Sequence, residues 1–210
     1  MNNILIVGAH FDDAELGVGA TAAKMVALGK KVYKITLTDT RVVSKDMGLN
    51  ISEESGREQS KKACSILGVE ELFLQHVSEF GRLEYSKDLM QEIEHILFQF
   101  NIDTCFFHFS DDYQTDHLAA HKICKTAARH CDNLLMYQSN PYIVENAFYP
   151  NVFIDVSNFI SKKEKALACY DAQHNRQGNL FETNIERNKI WGYGIHVKYA
   201  EGFMAIKIAI

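Results

Sequence analysis

Apolar residues fall along the chain in short runs that alternate with longer stretches of helical periodicity. Residues 4–9 (ILIVGA) form a continuous apolar run, which is typical of a strand buried on both faces. Further strands are predicted at 31–38, 71–77, 103–108, 134–138, 151–156 and 203–210. Helices are predicted at 18–29, 87–100, 116–130, 158–172 and 182–190, with one more that starts at Ser52 or Ser55 and runs to Gly68. Strands that alternate with helices indicate an α/β fold, Rossmann-like, with a mostly parallel sheet and helices on both faces.

Polar stretches separate these elements without dividing the chain. Residues 39–50 are predicted to be a loop, and residues 140–150, which contain both prolines, another. No repeat, linker or low-complexity tract is evident, so we predict a single domain over residues 1–210.

Composition excludes several classes of protein. The 210 residues are 47% hydrophobic and 23% charged, which favours a packed core over disorder. The net charge of -5 argues against a protein that holds nucleic acid. Five cysteines without a CxxC pair indicate reduced thiols. The first residues lack a basic segment and the apolar run there is too short to span a membrane, so we expect a cytoplasmic protein.

Two clusters of histidine and carboxylate residues follow predicted strands. His10 to Asp13 (HFDD) comes directly after the first strand, and Thr115 to His117 (TDH) follows the strand at 103–108 after a short loop. Ligands of open α/β sheets bind beyond the carboxyl ends of the strands. We therefore expect the two clusters to form one site if these strands are neighbours.

The residue types in these clusters suit a mononuclear zinc hydrolase. His10, Asp13 and His117 would supply two imidazoles and one carboxylate, with one position left for water. Asp12 could then accept a proton from that water, whose pKa zinc lowers from about 15.7 to about 7. His121 lies on the same helix face as His117 and is an alternative ligand on spacing alone. Asp116 is either a partner that orients a ligand or an acid of the first helical turn.

Five segments carry a resemblance to a known family. They are GAHFDDAELG at Gly8–Gly17; Arg57-Glu58 with Ala63 and Leu67-Gly68; Thr115–His117; Phe153–Val156 with Lys165, Ala166 and Gln173; and Tyr199–Phe203. In this order they resemble the PIG-L/LmbE-like zinc-dependent N-deacetylases, whose signatures include AHPDD and HPDH or HQDH.

That resemblance implies removal of an acetyl group from an N-acetylated amino sugar or from its glycoside or nucleotide conjugate. It places one Zn²⁺ on His10, Asp13 and His117, makes Asp12 the general base, and selects His117 over His121. Arg57 matches an arginine that contacts substrate hydroxyls or phosphate. The expected partner is thus a small molecule, with no nucleic acid and no membrane span, and a homo-oligomer is possible.

The sequence departs from the family pattern at two positions. Phe11 replaces a proline that would fix the turn, so the turn is expected to be looser or Phe11 to form a wall of the substrate pocket. Gln114 replaces a histidine three residues before His117. A glutamine can donate a hydrogen bond to an oxyanion but cannot act as an acid. His108 is expected to be a half-buried strand residue outside the site.

Three other functions compete with this hypothesis. Gly17-Val-Gly19-Ala-Thr-Ala22 with Asp39 outlines a dinucleotide fingerprint, but these glycines do not directly follow the strand, and the intervening acids would repel a pyrophosphate. We expect them instead to let the first helix pack close to the sheet. A protein that binds zinc and sugar without turnover and a zinc amidohydrolase for a non-sugar amide remain alternatives.

Overall fold

The computed structural model describes residues 1–46, 48–170 and 180–209, which form two β-sheets and six α-helices. The strands are β1 (Asn3–Gly8), β2 (Lys31–Thr36), β3 (Val42–Ser44), β4 (Leu49–Ile51), β5 (Glu70–Glu71), β6 (Thr104–His108), β7 (Asn133–Tyr137), β8 (Val152–Asp155) and β9 (Ala200–Lys207). The helices are α1 (Asp13–Ala27), α2 (Glu53–Leu67), α3 (Lys87–Gln99), α4 (Thr115–Ala127), α5 (Ile160–Leu167) and α6 (Leu180–Gly194). A 3₁₀ turn at Ala128–His130 follows α4.

Seven strands form the main sheet in the order β5-β2-β1-β6-β7-β9-β8. The first five in this order pair in parallel, whereas β9 is antiparallel to both β7 and β8. β1 lies inside the sheet between β2 and β6, so the carboxyl ends of β1 and β6 meet at one edge. The mostly parallel α/β fold predicted from the sequence is confirmed.

The core lies on both faces of this sheet. Leu5 and Val7 of β1 belong to a buried cluster that includes apolar residues of α3 and α4, while Ile4 and Ile6 belong to a second cluster with residues of α1, α2 and α5. The alternation confirms that the first strand is buried on both sides. None of the described helices is both long enough and apolar enough to cross a membrane.

The second helix has the ends that the sequence predicts. The Ser52 side chain accepts a hydrogen bond from the Ser55 amide (3.1 Å), as an N-cap does. Gly68 ends the helix with φ +78°, a conformation that glycine adopts without the Cβ clash of other residues.

Several predicted boundaries are wrong. The first helix begins at Asp13 and not at residue 18, because its first turn carries buried acids that hydrophobic periodicity does not register. Part of the predicted loop 39–50 forms the β3–β4 hairpin, and only Glu70–Glu71 of the region around 71–77 pairs with β2. The last strand begins at Ala200 rather than at 203. Residues 171–179 and 210, which include Gln173 and the predicted end of the helix 158–172, lie outside the described residues.

The glycines of the apparent dinucleotide fingerprint lie inside α1. β1 ends at Gly8, and Gly17 and Gly19 follow only after the helix has begun. A Cβ on Gly17 would overlap the Tyr137 ring, and one on Gly19 would lie 3.3 Å from Cγ of Lys163. The glycines therefore permit close packing of the helix, as the sequence predicts, and do not form a dinucleotide-binding turn.

Candidate metal centre

Three side chains from two neighbouring strand ends meet at the carboxyl edge of the sheet. His10 lies in the turn between β1 and α1, Asp13 is the first residue of α1, and His117 lies in the first turn of α4, beyond β6. All three are buried. The parallel pairing of β1 with β6 brings these segments together although they lie more than a hundred positions apart.

The three side chains face one another as a triangle of residues, in which Asp13 turns one carboxylate oxygen toward each histidine. His117 Nε2 lies 3.3 Å from His10 Nδ1 and 3.2 Å from Asp13 Oδ1, and His10 Nδ1 lies 3.3 Å from Asp13 Oδ2. Zinc ligands at bond lengths of about 2.0–2.2 Å and tetrahedral angles are about 3.3–3.6 Å apart. The three residues are thus placed to hold a metal ion.

The outward nitrogen of each histidine contacts another carboxylate. His10 Nε2 lies 3.0 Å from Asp116 Oδ2, and His117 Nδ1 lies 2.9 Å from Asp112 Oδ2. Such carboxylates fix the tautomer and the ring orientation of a metal-binding histidine. The Asp116 carboxylate also accepts hydrogen bonds from the amides of Gly81 (2.7 Å) and Leu83 (3.0 Å), so it is fixed in turn.

The excess of negative charge governs the ionisation of the site. Burial disfavours the protonated form of His117, but the charge of Asp13 and the hydrogen bond to Asp112 outweigh it and raise the pKa of His117 to about 10. Burial likewise opposes protonation of His10, whose pKa is raised by the hydrogen bonds to Asp116 and Asp13. Without a metal His117 is therefore protonated near pH 7, and a bound cation would displace that proton.

His108 is the main site residue that the sequence analysis misplaced. It is 1% exposed, not half-buried; its ring stacks on His117 at 4.0 Å, and its Nε2 lies 3.2 Å from Asp13 Oδ2. Nε2 also accepts the Ala9 amide (3.0 Å). Burial and the neighbouring His117 lower the pKa of His108 to about 4, so it is neutral near pH 7.

Asp12 directly precedes Asp13 in the chain and Gln114 lies three residues before His117, and Asp12 is not part of the group that could share an ion. Asp12 is buried and directly precedes α1. Gln114 precedes α4 and is partly exposed, and its side chain makes no capping hydrogen bond to the helix. Its backbone carbonyl accepts the His117 amide at 3.1 Å.

His121, the alternative ligand, faces elsewhere. Its Nδ1 hydrogen-bonds to the carbonyl of His108 at 3.0 Å, and its ring packs against Phe107 at a centroid distance of 5.6 Å. The group of atoms close enough to share an ion includes His117 and not His121.

The ring of Phe11, which the sequence predicts as a possible wall of the substrate pocket, is buried and lines a small cavity together with Arg57. Phe11 is 4% exposed and packs against α2, where a Cβ on Gly56 would approach its ring to 2.8 Å. Arg57 lies at the outer side of this ring, 6.0 Å from its centroid, and pairs with Glu53 at 2.8 Å. Arg57 thus lies near the turn that carries His10, with part of its guanidinium side chain exposed.

The chain matches a known family from near its first residue to beyond its midpoint. Residues 5–128 match the family model described as PIG-L: GlcNAc-PI de-N-acetylase, a range that contains all three facing residues. The match covers more than half of the chain, which therefore belongs to the PIG-L family.

Relatives of this chain include deacetylases. Diacetylchitobiose deacetylase of Thermococcus kodakarensis is 30% identical over 102 residues, which cover 44% of this chain but only 35% of that protein. The structure of N,N'-diacetylchitobiose deacetylase from Pyrococcus horikoshii has a TM-score of 0.80 and 19% identity, covering 98% of this chain and 84% of that one.

The same fold occurs in a protein of another activity. GalB, the 4-carboxy-2-hydroxymuconate hydratase of Pseudomonas putida, has a TM-score of 0.83 and 19% identity, covering 100% of this chain and 98% of that one. The fold alone therefore does not define the reaction.

Proposed function

We propose that this chain is a zinc-dependent N-deacetylase that removes an acetyl group from an N-acetylated amino sugar or from its glycoside or nucleotide conjugate. The observation that carries the proposal is the buried triangle of His10, Asp13 and His117, with Asp12 next to Asp13 in the chain, in a protein of the PIG-L family. Its deacetylase relatives support the reaction class.

The donor set fits zinc. Two imidazole nitrogens and one carboxylate oxygen leave a position for a small ligand, as in catalytic zinc sites, and the outward nitrogens are held by Asp116 and Asp112. Zinc bound there would polarise the acetyl carbonyl and lower the pKa of water to about 7.

The side chains around the triangle would move the protons. Asp12 would accept a proton from the attacking water and return it to the departing amine, the work of a general base followed by a general acid. Gln114 would donate a hydrogen bond from its amide to the acetyl oxygen as negative charge develops there. Asp116 would act through His10, which it orients.

Arg57 would contribute to substrate binding. Its guanidinium is only partly used by the ion pair with Glu53, and its side chain is 29% exposed. It would contact sugar hydroxyls or a phosphate group through its fork of N–H donors.

An acetate-release assay of the metal-loaded protein tests this function. The substrates are N-acetyl hexosamines, their glycosides and nucleotide conjugates, and non-sugar acetamides as controls. We expect acetate from at least one sugar and from none of the controls. Acetate from the controls alone would favour the non-sugar amidohydrolase, and sugar binding without acetate would favour the binding protein.

Asp12→Asn separates the base from the ligands. We expect the variant to lose at least about 100-fold in kcat while its metal content stays at the wild-type level, because Asp12 lies outside the triangle. Loss of the metal together with activity would instead make Asp12 a ligand.

A further inference from the structure

The carbonyl group of Phe11 accepts two hydrogen bonds from buried side chains, those of Lys34 and Tyr170. Lys34 Nζ donates to it at 2.6 Å and Tyr170 Oη at 2.7 Å. Lys34 is 1% exposed and Tyr170 2% exposed. The carbonyl belongs to the peptide group that joins Phe11 to Asp12, so both donors act on the backbone of the residue proposed as the base.

Lys34 is itself fixed by its neighbours. Its ammonium group donates to both carboxylate oxygens of Glu15 (2.7 and 3.0 Å) and to Ser60 Oγ (3.0 Å). A lysine ammonium offers three N–H donors, and here they are directed to Phe11, Glu15 and Ser60. The contact with the turn is therefore part of a buried network that ties it to β2, α1 and α2.

Other contacts also hold Phe11. Its amide donates to Thr40 Oγ1 at 3.2 Å, and its ring is packed against Gly56. A proline at this position would fix φ through its ring and would have no amide to donate. The sequence predicts that the turn could be looser without the proline. In the structure these contacts from other segments constrain it instead.

We propose that Lys34 and Tyr170 are positioning residues that fix the peptide group between Phe11 and Asp12 and so set the orientation of the Asp12 carboxylate toward the metal-binding triangle. This inference rests on the proposed role of Asp12. Misplacing a reacting group by about 1 Å can cost about 100-fold in rate, so two hydrogen bonds at this carbonyl can matter for turnover without touching the substrate.

Tyr170→Phe is the least disruptive test, because it removes one hydroxyl from a buried ring and leaves the ion pair intact. Lys34→Met combined with Glu15→Gln removes the other donor without leaving an unpaired buried charge. Lys163→Met combined with Glu201→Gln is the matched control, since this second buried pair has the same 2.7 Å separation but does not contact the turn.

All variants are compared as metal-loaded proteins by kcat, KM, metal content and thermal unfolding. We expect Tyr170→Phe and the Lys34/Glu15 variant to lose at least about tenfold in kcat, with KM and metal content unchanged. The control should lose thermal stability but keep kcat within about threefold. Equal loss of kcat in the control, or unchanged kcat in Tyr170→Phe, would overturn the proposal.

Amide hydrogen exchange tests the positioning without any substrate. We expect Tyr170→Phe to speed exchange in residues 9–13 and to leave β6 unchanged, because only the turn loses a contact. If the wild-type protein releases no acetate, the proposed function fails and this measurement still decides whether Tyr170 fixes the turn. Unchanged exchange there would contradict the proposal whatever the activity.

Discussion

Two buried lysine–glutamate pairs brace helix α1 at different levels. Lys34 of β2 pairs with Glu15 in the first turn of α1. Lys163 of α5 pairs with Glu201 of β9 beside the middle of α1. The two Nζ–Oε1 distances are both 2.7 Å, and all four side chains are at most 1% exposed.

The pairs differ in the backbone groups that they bind. Lys34 reaches the carbonyl of Phe11, outside the helix, whereas Lys163 donates to the Leu16 carbonyl at 2.7 Å within it. Glu201 accepts the amides of Ala20 (3.2 Å) and Thr21 (2.7 Å). One Lys–Glu pair thus holds the turn at the site, and the other holds the backbone of the helix.

Removing one partner of either pair should produce the largest loss of stability. We expect Lys34→Ala and Lys163→Ala each to lower the free energy of unfolding by about 3–5 kcal/mol, because each leaves a buried carboxylate without its cation. Urea denaturation of the metal-free proteins measures this. A loss below about 1 kcal/mol in one variant would show that the two pairs are not equivalent in energy.

Metal binding should stabilise the site turn independently of the second pair. Zinc at about 100 times its Kd should add about 2.7 kcal/mol to the free energy of unfolding. We expect this gain in wild type and in the Lys163→Met/Glu201→Gln variant, and none in His10→Ala. Thermal unfolding with and without zinc measures it, and an undiminished gain in His10→Ala would refute the assigned ligands.

Replacing the two glycines of α1 by alanine should distinguish the contact of the helix with Tyr137 from its contact with Lys163. Gly17→Ala should destabilise by about 1–3 kcal/mol, because the new methyl group overlaps the Tyr137 ring. Gly19→Ala approaches the buried Lys163 side chain to 3.3 Å without overlapping it and gains helix propensity of about 1 kcal/mol, so its loss should be smaller than that of Gly17→Ala. Equal losses in urea denaturation would contradict this difference.

The free energy of unfolding at alkaline pH should depend differently on the two lysines, and we expect this difference to be the smallest of the effects. The charge of Glu15 outweighs burial and raises the pKa of Lys34, so its stabilisation is complete below about pH 10.4 and is lost above it. Burial, reinforced by Arg187, lowers the pKa of Lys163, so the folded protein gains stability as pH rises toward about 10.4.

The measurement is the free energy of unfolding against pH for wild type and both paired variants. With rising pH, the advantage of wild type over the Lys34→Met/Glu15→Gln variant should shrink. Its advantage over the Lys163→Met/Glu201→Gln variant should grow. Parallel curves for the two variants would show that the lysines titrate alike.

The sequence predicted those features that local pattern and motif spacing encode. The alternation of apolar runs and helical stretches gave the α/β sheet, Ser52 and Gly68 marked the ends of a helix, and His10 and His117 followed strands that are neighbours. The resemblance to PIG-L deacetylases was confirmed at the level of the family. The catalytic and binding roles of the individual residues stay predictions.

Features that depend on distant neighbours were missed. Asp112 contacts His117 through the fold of the loop after β6, which the sequence pattern does not define. An acid five residues before that histidine was nevertheless a signal that could have pointed to it. Likewise, the family resemblance includes Lys165 of α5, which is exposed, whereas the buried lysine of that helix is Lys163. Lys163 shares the inner helix face with Ile160, Ala166 and Leu167, a placement that spacing from a motif did not resolve.

The most direct test is a zinc titration of the metal-free protein, followed by competition with a chelator, for wild type, His117→Ala and His121→Ala. We predict one ion per chain in wild type and in His121→Ala, and affinity lower by at least about 100-fold in His117→Ala, since a ligand is lost. Zinc binding by His117→Ala at wild-type affinity would contradict the metal centre on which the proposed function depends.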